Sequence, residues 1–415
     1  MEYIYDGERL LFTEEMRKEY TILVPMMAPY HFDSIVTSLN AEGFKAELLK
    51  TDSYDLIKEG LRYSHNDICV PAMLVIGQFI DAIKSGKYDV KKLALIISQT
   101  GGGCRASNYV NLLRKSLIKA GYPKIPVISL NSNGFEPNPG FKVTYRMGMK
   151  FVNSIVIGDI IMQLFNETKP YEVNEGDTEL ALEKVNTLKR KYFSSKKLRD
   201  LRLPRRLVKE IINYFKSVEV AGKKKHKVGI VGEIYVKYSP LGNNNLEKLL
   251  LSHDCEVVTP PLFDFFLYSF DSAIHDIIKY GGASRKRIVL KLLLTFLESR
   301  RAKIRRMLQQ SGYSKPVTYK ELKKFAEGVI DYGTHSGEGW LLTAEMIDLI
   351  HSGAPNIVCT QPFGCLPNHI VGKGMFKRIK ELHPSSNIVA IDYDTSASNI
   401  NQVNRIKLML SNLRK

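Results

Sequence analysis

Tryptophan occurs once and cysteine five times in 415 residues. No run approaches the ~18 uncharged apolar residues that a membrane-crossing helix needs. The most apolar helical stretch, Phe151 to Phe165, is interrupted by Asn153, Ser154 and Asp159, and reads as a core helix. Met1 through Phe12 carries Glu2, Asp6, Glu8 and Arg9 without an apolar centre, which excludes a recognisable secretory signal. These absences predict a cytoplasmic protein with no membrane partner. A phosphate loop of the form G-x-x-x-x-G-K-[ST] is also lacking: Lys373 lies between Gly372 and Gly374, with the preceding glycine at the wrong distance. No compact C-x-x-C pair, zinc finger, RNA-recognition motif or helix-turn-helix pattern is present.

What is present is a chain large enough for two or three domains, with 44% hydrophobic residues to fill their cores. Its formal charge of +17 is concentrated in Lys189–Arg206, Lys223–Lys227 and Arg285–Arg306. Such runs suit an acidic partner protein, nucleotide-like phosphates, anionic lipid or nucleic acid, but a charge run is more often a solvated helix face. Without a recognition motif beside the charge, nucleic acid is not expected as a partner.

The first half alternates strands and helices: Thr21–Met27, Lys45–Leu49, Lys92–Gln99 and Ile125–Leu130 are strands, with helices at His31–Glu42, Cys69–Ser85 and Arg105–Ala120. From about Gly176 to Val220 the pattern is helical and charged, broken at Pro204. Strands return at Val228–Val231, Glu256–Thr259, Asn356–Thr360 and Asn387–Asp392, with a helical insertion from about Phe263 to Gly328 and helices near Asn368–Leu382 and Asn399–Leu413. The expected fold is α/β: stacked Rossmann-like parallel-sheet domains with a helical connecting region. The expected division is an N-terminal α/β domain (1–170) with Cys69 and Cys104, a basic helical linker (171–225), and a C-terminal α/β domain (226–415) with Cys359 and Cys365. No convincing internal sequence repeat accompanies the shared architecture.

Three cysteines fall where strand and helix meet. Cys69, in His65–Ala72 (HNDICVPA), opens a long apolar helix with Pro71 in its first turn. Cys104, in Gln99–Tyr109 (QTGGGCRASNY), follows a strand and the turn-forming Gly101, Gly102 and Gly103. Cys365, in Cys359–Gly374 (CTQPFGCLPNHIVGKG), follows another strand and precedes another helix. Ligands of open α/β sheets collect beyond the carboxyl ends of the strands, so these loops are candidates to converge. Helix amino termini favour an anionic metal cluster, and cysteine thiolates are its usual ligands. Spacing alone leaves inert buried thiols and a closed zinc site open as readings. Cys359, inside an apolar strand, is divided between core and ligand; Cys255 reads as structural. His65, His335 and His369 are the histidines placed to enlarge a metal site, although a lone histidine is more often hydrogen-bonded or exposed. Asp331–Met346 (DYGTHSGEGWLLTAEM) places His335 and Glu338 in a glycine-rich turn before Trp340; such a turn can hold an anion or lie over a cluster, and can equally serve packing.

These blocks resemble the 2-hydroxyacyl-CoA dehydratase component and acyl-CoA dehydratase activase-related family, including its double-cubane-cluster-like members. The similarity runs from Phe12–Tyr30 (FTEEMRKEYTILVPMMAPY) through HNDICVPA, LVIGQFIDAIKSGKYD, QTGGGCRASNYVNLLRK, GEGWLLTAEM and QPFGCLPNHIVGKG to AIDYDTSASNINQVNRIKLML. The resemblance implies an iron–sulfur cluster, a [4Fe–4S] or double-cubane type, held by Cys69, Cys104 and Cys365 with Cys359 as a fourth candidate. It also implies a partner, an ATP-hydrolysing activase of actin-like fold, that delivers low-potential electrons for relay to a substrate or partner. A dimer or second dehydratase subunit and an acyl-CoA substrate belong to the same expectation, as does reductase or dehydratase (lyase) chemistry. The activase modules fused to some long relatives are missing here, and five cysteines are few for a double cubane within one chain. The rival class is a noncatalytic metal-binding scaffold or regulator of an activase.

Overall fold

The structure, a computed structural model, describes residues 3–51, 53, 55–65, 67–99, 103–131, 136–196, 204–394 and 399–413. After a short antiparallel hairpin of β1 (Tyr5–Asp6) and β2 (Arg9–Leu10), two parallel sheets follow. The first comprises β3 (Thr21–Val24), β4 (Lys45–Leu48), β5 (Leu93–Gln99) and β6 (Val127–Asn131) in the order β4-β3-β5-β6. The second comprises β7 (His226–Gly232), β8 (Cys255–Val258), β9 (Asn356–Pro362) and β10 (Asn387–Tyr393) in the order β8-β7-β9-β10. All pairings within both sheets are parallel. The fold is therefore α/β, with two four-stranded parallel sheets flanked by helices.

Strand positions follow from composition. Every residue of β9 is buried, as a central strand covered on both faces requires, whereas the Lys45–Leu48 edge strand retains exposed and half-exposed positions. The two sheets also repeat one topology: each first strand lies between its second and third, so the crossover direction reverses between β3 and β5 and again between β7 and β9. Loops after the first and third strands of each sheet thus face a crevice at the carboxyl edge, where α/β folds place ligands.

Helix Tyr145–Thr168 is, over 145–171, long and apolar enough to cross a membrane by composition, but 72% of its most apolar window is buried inside the protein. It is a core helix. Its residues Ile155–Phe165 share one apolar cluster with Val185, Phe193, Ile211 and Phe215 of the connecting helices and with Leu262, Leu267, Ile304 and Trp340 of the second half. The basic run Arg285–Arg306 divides along helix Ser284–Gln310: its first half is largely exposed, while Arg301 is buried in an ion pair with Asp264. The expectation of one helix near Asn368–Leu382 is replaced by segments Leu366–Val371, Lys373–Met375 and Phe376–Leu382. Gly372 interrupts them where a side chain would strike the Asn368 carbonyl and crowd Cys359 Sγ.

Helices Leu56–Tyr63 and Val70–Lys84 approach at two glycines. A methyl on Gly77 would enter the Leu56 carbonyl, and one on Gly60 the Met73 carbonyl. Gly77→Ala is expected to destabilise the fold by about 1–3 kcal/mol through overpacking. Gly148→Ala, in helix Tyr145–Thr168 with open space around the added atom, is expected to be neutral or to stabilise by up to about 1 kcal/mol. Urea denaturation midpoints of the two variants check the contrast.

Candidate functional site

Five side chains with chemistry stand at helix starts along the carboxyl edges of the two sheets. Cys69 is the N-cap of helix Val70–Lys84, and Cys104 that of the short 3-10 turn Arg105–Asn108 leading into helix Tyr109–Lys119. Glu233 caps Ile234–Tyr238 directly after β7, Glu338 caps Gly339–His351, and Cys365 caps Leu366–Val371 after β9. The positive ends of helices favour anions at such positions. The conformations have local causes: Pro71 and Pro367 preset the first turns of their helices, and Gly337 (φ +62°) and Gly339 (φ +49°) allow the turn that carries Glu338.

The loops come together across the seam between the halves. Gly103, beside Cys104, faces Ser336, so that a Cβ built on it would lie 3.4 Å from the Ser336 hydroxyl. Gly337 packs in turn against Pro367, and Tyr268 donates a hydrogen bond to its carbonyl at 3.2 Å. Cys69 Sγ lies 2.7 Å from the Tyr109 hydroxyl, and Cys104 Sγ accepts from the Ala106 backbone N–H at 3.4 Å. Asn368 Nδ2 donates to Cys365 Sγ at 3.4 Å, and the Cys365 carbonyl lies 2.8 Å from His369 Nδ1. Arg105 reaches the Asp67 carbonyl and ties the Cys104 turn to the segment before Cys69. Gly101 and Gly102 lie outside the described residues.

Electrostatics show the same convergence. Burial pushes the Cys69 thiol up to about 11, against the hydrogen bond from Tyr109, and Glu233 and Cys104 add to the rise. Cys365 is also raised, by burial first and then by Glu338, with Glu233 and Cys104 contributing. Cys104 and Glu233 thus act on both the Cys69 and the Cys365 thiols, and Glu338 acts on Cys365. Glu233 retains some contact with solvent, yet the surrounding protein and then Glu338 raise it to about 8. Its carboxylate accepts from Val236 N–H at 2.8 Å, and Glu338 accepts from Ile234 N–H at 2.9 Å. Behind them Lys237 and Glu345 form a buried ion pair, 2.9 Å and 3.0 Å to the two carboxylate oxygens.

No disulfide involves any of the five cysteines, and they divide by burial: Cys69, Cys104 and Cys365 are half-buried, Cys255 and Cys359 fully buried. Cys359 packs among Leu342, Met346 and Val371 on one face of the second sheet. It lies three strand residues below the end of β9, roughly 10 Å at about 3.3 Å per residue. Burial raises its thiol to about 12, with Asp392 and then Glu345 adding to the effect. Cys255 begins β8 in a separate apolar cluster. Of the histidines, His335 is paired with Asp276 at 2.8 Å, His65 is exposed near Asp67, and His369 is turned toward the Cys365 carbonyl. Glu233 escaped the sequence reading. Its available signal is an acid directly after the apolar strand VGIVG.

Among the described residues no three His, Cys, Asp or Glu side chains gather tightly around a single point suitable for one metal ion. An iron–sulfur cluster distributes its ligands over several irons, so its thiolates surround a space. Cys69, Cys104 and Cys365, drawn from both halves and set at helix starts, are the thiols that could serve such a group. No protein-family model matches the sequence, and comparison with curated proteins finds no match.

In metal-free protein, the rise of Cys69 to about 11 leaves very little thiolate at pH 8. Its alkylation by iodoacetamide is expected to be roughly a hundredfold slower than for an ordinary thiol and to accelerate with each pH unit up to that value, which peptide mass spectrometry across a pH series checks. Lys237→Met strands Glu345 without its cation and is expected to cost about 3–5 kcal/mol in denaturant titrations.

Proposed function

We propose that this chain is an iron–sulfur redox protein of the 2-hydroxyacyl-CoA dehydratase type, which accepts low-potential electrons from an ATP-dependent activase and relays them to a substrate or partner. The observation that carries the reading is the placement of Cys69, Cys104 and Cys365, drawn from both halves, at three helix starts, with the Gly103 and Gly337 loops in contact across the seam. A cubane-type cluster supplies, when bound, a one-electron carrier whose potential the protein tunes. The chain's own residues contribute the remainder. Cys69, Cys104 and Cys365 hold the group, and the helix starts offset the negative charge of their thiolates. Tyr109 directs its hydroxyl to Cys69, and Asn368 directs its amide to Cys365, so two sulfurs already have hydrogen-bond partners. Hydrogen bonds to cluster sulfurs tune potential.

Loops of both halves pack together beside the thiols, and the partial burial of Cys69, Cys104 and Cys365 strengthens electrostatic interactions there. The half-burial of the three thiols, in contrast to Cys255 and Cys359, supports a site reachable by a donor at one side. ATP hydrolysis belongs to the partner in this reading, because the sequence carries no phosphate loop.

Anaerobic purification followed by iron and sulfide analysis and electron paramagnetic resonance tests the proposal. Iron and sulfide are expected in stoichiometric amounts and are expected to fall severalfold in Cys69→Ala, Cys104→Ala and Cys365→Ala, but to persist in Cys255→Ala. Full iron in Cys359→Ala limits the cysteine ligands to three; loss extends them to four. Carefully reconstituted wild-type protein that binds neither iron nor sulfide would overturn the reading.

A further inference from the structure

A cavity of about 130 Å³ opens beside β8, the edge strand of the second sheet, between helices Tyr145–Thr168 and Ser284–Gln310. None of the five cysteines lines it, and neither Glu233 nor Glu338 does. Its walls are largely apolar, with Ile160, Ile304, Leu308 and Leu349 all nearly fully buried. An apolar cavity of roughly 150 Å³ accepts a molecule the size of benzene. Segment 314–317 forms one wall and is fastened to both helices. Glu167 accepts from Ser314 N–H at 3.0 Å, Gln163 donates to the Ser314 carbonyl at 2.8 Å, and Arg305 donates to the Pro316 carbonyl. Ser314, Lys315 and Ser352 are the exposed lining residues and mark the mouth.

Most of the charge around the cavity is paired. Asp159 accepts from Leu262 and Phe263 N–H, Glu167 from Ser314 N–H and Gln163, and Glu256 is held by Lys227 at 2.7 Å and by Tyr171 at 2.8 Å. Arg301 has Asp264 as its partner. Arg305 is different. It is only 8% exposed, yet its guanidinium makes one hydrogen bond, from Nε to the Pro316 carbonyl, while Glu321 stands 3.6 Å from Nη2 with a carboxylate that is more than half exposed. A guanidinium carries five N–H donors in a fixed fork, and a buried charge is costly until such donors are met.

We propose that this cavity is a binding site for a small monocarboxylate with an apolar body, the carboxylate held by Arg305 and the body by Ile160, Ile304, Leu308 and Leu349. The inference is independent of the iron–sulfur reading. A carboxylate matches the guanidinium fork with two parallel hydrogen bonds, and it supplies the counter-charge that the loose Glu321 contact leaves wanting. The carboxyl groups that also line the cavity set the limit on ligand charge, since they repel a second negative charge close by. Asp348, with the Ser352 hydroxyl 3.4 Å away, is raised to about 7 by burial first, so at neutral pH it repels a monoanion at less than full strength. Dicarboxylates and phosphate dianions are therefore disfavoured. Lys315 at the mouth draws anions inward.

Isothermal titration calorimetry of the full chain with 3-methylbutanoate tests the site, set against the uncharged isostere 3-methylbutanamide, the amine 3-methylbutylamine and the dianion butanedioate. The carboxylate is expected to bind at a single site, about tenfold or more tightly than each of the other three. Arg305→Gln is expected to weaken it by about tenfold or more. Leu308→Phe, which fills the cavity and leaves Arg305 in place, is expected to abolish binding, and thermal melting verifies that both variants fold. A wild type that takes up no 3-methylbutanoate at about 10 mM, which fills a site of millimolar affinity, overturns the assignment. Equal binding of the amide, or preference for the amine, overturns it on the wild-type protein alone. Undiminished binding by folded Arg305→Gln or Leu308→Phe does the same. Iron content plays no part in these readouts, so failure of the iron–sulfur reading and failure of this inference are separate results.

Discussion

The joining of the two halves depends on one carboxylate. Asp159, on helix Tyr145–Thr168, lies 2.9 Å from His31 Nε2 in the first half and accepts from Leu262 N–H at 2.7 Å and Phe263 N–H at 3.0 Å in the second. It thereby caps the helix Leu262–Tyr280, satisfying donors that would otherwise be buried without partners, and places a negative charge at that helix's positive end. His31 can approach this closely because its ring lies against Gly158, where any side chain would collide. Glu247 repeats the arrangement on a smaller scale, accepting from Tyr30 of the first half and Asn166 of the central helix, both at 3.0 Å. With the halves locked through this helix, loops distant in sequence can hold a stable mutual geometry. Without that lock, Cys69 and Cys104 would be a pair on one sheet and Cys365 a single thiol on another.

Helix starts gather where these groups lie, and burial raises the Cys69 and Cys365 thiols and the Glu233 carboxyl above their ordinary values. A site of this kind loses protons when a cation or cationic cluster enters, since ligands must be deprotonated to bind. The neighbouring Lys237–Glu345 pair is satisfied internally, so it adds little net charge and serves mainly to hold the elements behind the crevice.

Much of the fold was legible from residue patterns. All eight sheet strands lie within a few residues of their predicted positions, because apolar runs such as LALIISQ and NIVCT are long enough to be buried on both faces and have turn residues at their ends. The helix near Asn368–Leu382 was legible in position but not in continuity: the break at Gly372 arises from contact with Asn368 and Cys359, which local propensity does not contain. The charge run Arg285–Arg306 misled in part for a similar reason. Burial of Arg301 depends on Asp264, 37 positions earlier, and a charged residue reads as solvated until its partner is known.

Local pattern was enough for the alternation of strands and helices, the parallel character of the sheets and the placement of three cysteines at strand-to-helix junctions, since each follows from periodicity and turn chemistry within about ten residues. Which loops touch came from long-range packing. It brought Glu233 and Glu338 beside the thiols, set Cys359 in the core, and revealed one strand order in two halves with no legible sequence repeat. The physical reason is that burial and electrostatic proximity belong to the packed interface between the halves, where groups as far apart in the chain as Cys69 and Cys365 acquire a common environment.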